Sequence, residues 1–119
     1  MILVDTSVWV DHFRRTDERL ANALADGDVL THPFVVGELA SGNLLNRKEI
    51  LALLAHLPTA PSATDAEALE FIETRRLNAK GIGYIDVHLL ASAALADAPL
   101  WTKDRRLAEI AAGLKLGLA

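Results

Sequence analysis

The sequence predicts an α/β domain built on a short, mostly parallel sheet flanked by helices. Three observations carry that expectation. Short apolar stretches alternate with longer amphipathic ones along the whole chain, the pattern left by strands that alternate with helices in a parallel sheet. The first stretch, Ile2-Leu3-Val4, is apolar throughout, as in a strand covered on both faces. Gly, Pro and Asp punctuate the boundaries between stretches, where turns and caps need them.

The elements follow in order. Residues 2–5 form a strand. A helix from Ser7 to about Arg15 carries Val8, Trp9 and Phe13. A second helix, about Asp17 to Ala25, stops at Asp26-Gly27, where Gly27 suits the left-handed position after a helix end. Asp28 to Thr31 is a second strand, and Pro33 opens a third helix, since the first turn needs no N–H from it. Asn46 to His56 is amphipathic, with Ile50, Leu51, Leu53 and Leu54. Residues 57–60 read as a short strand. Thr64 and Glu67 have the spacing of a capping box, starting a helix that runs to about Asn78. Gly81 and Gly83 mark a loop. Asp86 to Ala96 is apolar nearly all round, which predicts a buried helix. Leu100 to Thr102 is a strand, Asp104 to Ala112 a helix ended by Gly113, and Leu114 to Leu118 a last short strand. No repeat, low-complexity stretch or linker interrupts the pattern, so residues 1–119 read as one domain.

Composition removes several kinds of chemistry. The chain has 119 residues, enough for a modest core. It is 51% hydrophobic but only 5% aromatic, so that core is aliphatic. Without Cys there are no disulfides, thiolate–zinc sites or thiol catalysis. The start shows no basic leader or long apolar segment, so a cytoplasmic protein is expected, and no apolar run reaches membrane-spanning length. The four histidines, His12, His32, His56 and His88, have no ligand spacing and are read as structural; a His-pair ribonuclease is unsupported.

Four carboxylates stand out: Asp5 in ILVDTSVW, Glu38 in PFVVGELASG, Asp86 in GIGYIDVHLL and Asp104 in LWTKDRRL. Each has a plainer reading. Asp5, Asp86 and Asp104 fall at predicted helix starts, where Asp caps well; Thr6 and Ser7 can cap the first helix instead, which frees Asp5. Glu38 is the one charge in its stretch, either solvated or needing a partner beside Phe34 and Val35, one turn earlier. The alternative is a shared site, because helix starts in this architecture collect at the carboxyl edge of the sheet. Two carboxylates about 4 Å apart at an effective dielectric of ~20 repel by ~4 kcal/mol. Four together would consume much of a stability of ~5–15 kcal/mol unless they take up protons or cations. All-oxygen ligands favour Mg²⁺ or Mn²⁺, and such a site suits phosphodiester hydrolysis. The net charge of −4, from 12 basic and 16 acidic residues, equals the charge of those four groups, so the rest of the chain is neutral on balance.

ILVDTSVWVDHF, the Glu behind Pro33, GIGYIDVHLLASA and LWTKDRRL, in that order, resemble the PIN-domain ribonucleases, and more closely the VapC-type toxins of toxin–antitoxin pairs. The resemblance runs essentially the full length. It implies a PIN-like fold and an Mg²⁺- or Mn²⁺-dependent endoribonuclease held inactive by a VapB-type antitoxin. It also implies a homodimer, with operator DNA reached only through the antitoxin. Asp5, Glu38, Asp86 and Asp104 match the acidic quartet, with Asp5 and Asp86 as main ligands and Asp104 completing the shell or holding a second ion. Glu38 would act through water. Thr6 and Ser7 match the DTS signature, and Thr102 the usual Ser/Thr before the last Asp. Lys103, Arg105 and Arg106 are either a solvated helix start or phosphate contacts beside the cup. Arg14, Arg15 and Arg19 read as surface. Trp9 and Phe13 are either core or, with Leu51 and Leu54, part of a groove for an antitoxin helix formed by the first, second and Asn46–His56 helices. Two other classes stay open. An aspartate-based phosphatase or receiver-like domain also uses an Asp after its first strand, although Ser7 stands where the phosphatase pattern wants a second Asp. A non-catalytic partner-binding domain would bind no metal.

Overall fold

The computed structural model describes residues 1–118. Strand β1 (Ile2–Val4) lies between β2 (Val29–Leu30) and β3 (Leu100–Trp101), and all three run parallel. Ile2 and Leu3 pair with Val29 and Leu30, while Leu3 and Val4 pair with Leu100 and Trp101. Leu3 and Val4 are fully buried, which is why β1 is apolar without alternation. Because the strands are parallel, the residues that follow each of them (Asp5, Thr31-His32 and Thr102) come out at the same edge.

Seven helices wrap this sheet among the described residues: α1 (Thr6–Arg14), α2 (Glu18–Ala25), α3 (Pro33–Ser41), α4 (Arg47–His56), α5 (Asp65–Arg75), α6 (Tyr84–Ala96) and α7 (Arg105–Gly113). Every residue of α6 from Val87 to Ala93 is buried, so the all-round apolar helix is the central one, as its sequence predicts. It packs into one core with Leu3, Val4, Val8, Trp9, Leu20 and Leu107. The capping box before α5 forms as expected. Thr64 Oγ1 accepts from the Glu67 N–H at 3.1 Å, and Glu67 Oε1 from the Thr64 N–H at 2.9 Å; a cap of this kind contributes about 1 kcal/mol. Gly27 ends α2 at φ +70°, a left-handed backbone that costs glycine nothing.

Three local expectations are corrected. Residues 57–60 and 114–118 are not strands. Each gives a single parallel bridge, Thr59 to Thr31 and Gly117 to Leu100. Pro58 has no N–H for a longer ladder, and the Leu114 and Lys115 N–H groups are still bonded to carbonyls of α7. Helix α5 stops at Arg75 rather than near Asn78, because Arg76 turns left-handed at φ +56°. Helix α6 starts at Tyr84, two residues before Asp86, so Asp86 lies inside the first turn and Gly83 holds the N-cap position.

Candidate active site

Asp5 follows β1 directly and is 7% exposed. It occupies the N-cap position of α1, yet its side chain makes no capping bond. Its Oδ2 instead accepts from Ser7 Oγ at 2.8 Å and from Thr102 Oγ1 at 2.7 Å, two short bonds of the charge-assisted kind. Both hydroxyls thereby turn their lone pairs outward. Ser7 Oγ accepts the Lys103 N–H at 2.9 Å, and Thr102 Oγ1 accepts the Asp104 N–H at 3.1 Å. With both protons aimed at Asp5, the 3.3 Å approach of the two hydroxyl oxygens is a contact and not a further bond. The DTS segment after β1 and the TKD segment after β3 are thus laced together across the sheet edge.

The other three carboxylates reach this edge by different routes. Glu38 lies one turn beyond Phe34 on α3, exposed, and its Oε1 accepts from Thr6 Oγ1 at 2.7 Å. So neither Thr6 nor Ser7 caps α1; each hydroxyl holds a carboxylate. Asp86 is half-buried, and its Oδ2 accepts the Gly83 N–H at 3.1 Å. Asp104 is the N-cap of α7, with Oδ1 accepting the Leu107 N–H at 2.9 Å. The N-cap reading is therefore right for Asp104 and wrong for Asp5, while Asp86 caps α6 from its third position by accepting the Gly83 N–H. A cap uses only one carboxylate oxygen, and among the described residues the second oxygen of each of the four accepts no protein hydrogen bond.

Burial, and then the charges of Asp5, Asp104 and Glu38, push the Asp86 carboxyl above its ordinary value, against the Gly83 bond, which lowers it. All four groups therefore share one electrostatic neighbourhood. Among the described residues no three of them close on a common point at ligand distance. The donor set, all oxygen with one arm held by two hydroxyls, fits a hard divalent cation.

A pH dependence follows. A carboxyl whose folded pKa is raised stabilises the fold below its unfolded value of 3.8, and that contribution is lost as pH rises through the folded value. At neutral pH in chelator, Asp86→Asn should therefore melt above wild type, because Asn keeps the Gly83 acceptor without the charge. The difference should shrink as pH falls toward 3.8. Equal melting temperatures at pH 7 would mean that Asp86 feels no net repulsion.

The PIN domain family model matches residues 2–113, from the start of β1 to the end of α7. Two curated proteins, both named Ribonuclease VapC32, come from Mycobacterium tuberculosis strains CDC 1551 / Oshkosh and ATCC 25618 / H37Rv. Each is 45% identical over 120 residues, covering all of this chain and 97% of the relative. The chain belongs to the PIN-domain family, in its VapC branch.

The surroundings of these carboxylates change several expectations. Lys103 Nζ lies 3.1 Å from Asp11 and 3.6 Å from Asp17, so its charge is answered by α1 and by the cap of α2. Arg105 sits 3.4 Å from Glu109 one turn along α7 and is almost wholly exposed. Arg106 reaches back to donate to the Lys80 carbonyl at 3.3 Å, lying over Gly81. A Cβ at Gly81 would meet that guanidinium at 2.9 Å, and its φ is +79°. The basic cluster thus divides: Arg105 and Arg106 remain beside Asp104, while Lys103 is turned toward α1 and α2.

Trp9 and Leu54 are 0% and 1% exposed, so both are core residues and not groove contacts. The groove beside Phe13 is lined by α1, the end of α3, the segment leading into α4 and Ile50 of α4; Leu51, expected there, is not on its lining, and no residue of α2 is. Its apolar walls are Val10, Phe13, Leu44, Leu45 and Ile50, with Thr6 and Glu38 also on the lining. His32, read from the sequence as structural, is structural, but its place in the fold was not foreseen. It is 1% exposed, its Nδ1 accepts the Phe34 N–H at 3.0 Å as the cap of α3, and its Nε2 lies 3.1 Å from Ser92 Oγ on α6. The signal was Pro33, which marks the first helical position and so makes the residue before it the cap. No helix among the described residues is long and apolar enough to cross a membrane.

Proposed function

We propose that this PIN domain is an Mg²⁺- or Mn²⁺-dependent endoribonuclease, the toxin of a toxin–antitoxin pair, with Asp5, Glu38, Asp86 and Asp104 as its catalytic and metal-holding residues. The observation that carries the reading is that Asp5, Asp104 and Glu38 lie close enough to Asp86 at the sheet edge to raise its carboxyl, in a chain 45% identical over its length to a protein named as a ribonuclease. Asp5, fixed by Ser7 and Thr102, is the rigid arm of the site, and Asp86 and Asp104 face it from α6 and α7. Glu38, exposed and steadied by Thr6, orients water. A bound divalent ion would polarise the scissile phosphate and lower the pKa of water at the site. Arg105 and Arg106 hold the RNA backbone, a contact that weakens as salt rises. A helix of a VapB-type antitoxin lies in the groove between α1, α3 and α4, and the toxin acts in the cytoplasm as a homodimer that meets operator DNA only through that antitoxin.

Calorimetric titration of Mn²⁺ into the purified chain, paired with RNA cleavage before and after EDTA, tests this. Saturable binding with EDTA-sensitive cleavage is expected. Absence of both would leave a non-catalytic partner-binding domain. The phosphatase or receiver-like reading loses ground because the Ser7 hydroxyl, where a second carboxylate would stand, is committed to Asp5.

A further inference from the structure

We propose that His32 is a positioning residue for this site, one that sets the spacing between the helices carrying Glu38 and Asp86; the inference rests on the metal-dependent reading above. Helices α3 and α6 each contribute one carboxylate, Glu38 and Asp86. Among the described residues, the His32–Ser92 bond is the one side-chain hydrogen bond that joins α3 and its cap to α6. Both partners lie in the interior, at 1% and 0% exposure.

The ring is fixed by its two bonds. Nδ1 accepts from the Phe34 N–H, so it carries no proton. The neutral ring then holds its proton on Nε2, which donates to Ser92 Oγ. Protonation would remove the acceptor that starts α3, and burial together with the neighbouring His88 lowers the pKa of His32, which holds the neutral form. Phe34 adds an apolar contact on the same side, its ring edge-on to His88 of α6 at 4.9 Å between centroids. One side chain therefore both begins α3 and ties that start to α6, less than two turns along from Asp86. A capping Asn or Ser would do only the first, which is the physical reason for a histidine here.

The two roles separate by substitution. His32→Asn keeps an acceptor for the Phe34 N–H but is too short to reach Ser92. His32→Gln can present a donor toward Ser92 but is a poor cap. Ser92→Ala removes only the tether. Thermal melting, Mn²⁺ affinity by calorimetry, and kcat and KM on RNA would be measured for each. His32→Asn should melt below wild type, because a fully buried ring is cut back, and bind Mn²⁺ about tenfold more weakly, the scale of an outer-shell loss, with kcat lowered and KM for RNA unchanged. Ser92→Ala should reproduce that loss, and His32→Gln should recover Mn²⁺ affinity while melting lower. If His32→Asn and Ser92→Ala bind Mn²⁺ as wild type does, His32 is only a cap and the inference is overturned. A wild-type chain that takes up no Mn²⁺ overturns the metal reading itself, and the positioning role with it.

Discussion

Asp5→Asn should lower RNA cleavage in Mg²⁺ by about a thousandfold while the protein stays folded. The magnitude comes from the several kcal/mol that a metal ion supplies to a phosphodiester transition state, at about 1.4 kcal/mol per factor of ten. The clean separation from folding comes from geometry. The Ser7 and Thr102 hydroxyls both donate to one oxygen of Asp5, at 2.8 and 2.7 Å, and an Asn carbonyl oxygen in the same place accepts both. What disappears is the charge. Its loss also relieves Asp86, whose pKa Asp5 raises, so the chelated variant should be no less stable than wild type. Cleavage rate, calorimetric Mn²⁺ affinity and melting in EDTA therefore move apart: the first two fall and the third holds. Retained cleavage in Mg²⁺ by a folded Asp5→Asn chain would remove Asp5 from the metal site. A variant that loses activity only by unfolding would show that Asp5 serves only as the structural acceptor for Ser7 and Thr102.

The legible part of this protein was what periodicity and punctuation encode. Ile2-Leu3-Val4 without alternation predicts a strand buried on both faces, and it is found; the nearly all-round apolar Asp86–Ala96 stretch predicts a buried helix, and it is buried from Val87 to Ala93 but not at Leu95. Gly27 and the Thr64–Glu67 box marked ends that the structure keeps. Segments whose backbone has competing partners were less legible. Residues 114–118 look strand-like, but their first N–H groups close α7, leaving one bridge to Leu100. At the site, chain position alone made Asp5, Asp86 and Asp104 equivalent helix starts, and only the fold separates them. Asp104 caps, Asp86 sits within the first turn of its helix, and Asp5 gives its oxygen to hydroxyls that are two residues away in one case and on another strand's end in the other. Such long-range pairs leave no spacing in the sequence. The same holds for Lys103, whose partners Asp11 and Asp17 are remote in sequence, and for the His32–Ser92 tether.

Trp9→Ala should be the most destabilising single change near the site, at about 3 kcal/mol. Removing a large aromatic from a core costs about 3–5 kcal/mol through lost transfer energy and the cavity left behind. Trp9 is fully buried, stacked on Phe13 at 5.7 Å and edge-on to His12 at 6.3 Å. The lower end of the range applies because its Nε1–H has no hydrogen-bond partner, and deleting an unsatisfied buried donor returns part of the loss. For a domain of ordinary stability, ~5–15 kcal/mol, that is a large fraction. Trp9→Phe removes the same donor, keeps most of the stacking area, and should cost well under half as much. Urea unfolding of the two variants measures both. The pair also decides what Trp9 does for an antitoxin. A residue with no exposed surface influences a groove only by holding α1 in place, and α1 also carries Thr6 and Ser7. Trp9→Phe should therefore bind an antitoxin helix as wild type does, whereas Phe13→Ala, on the groove wall itself, should weaken that binding with less effect on folding. The opposite pattern, with Trp9→Phe folded but poor at binding, would mean that the partner opens the core to reach the indole.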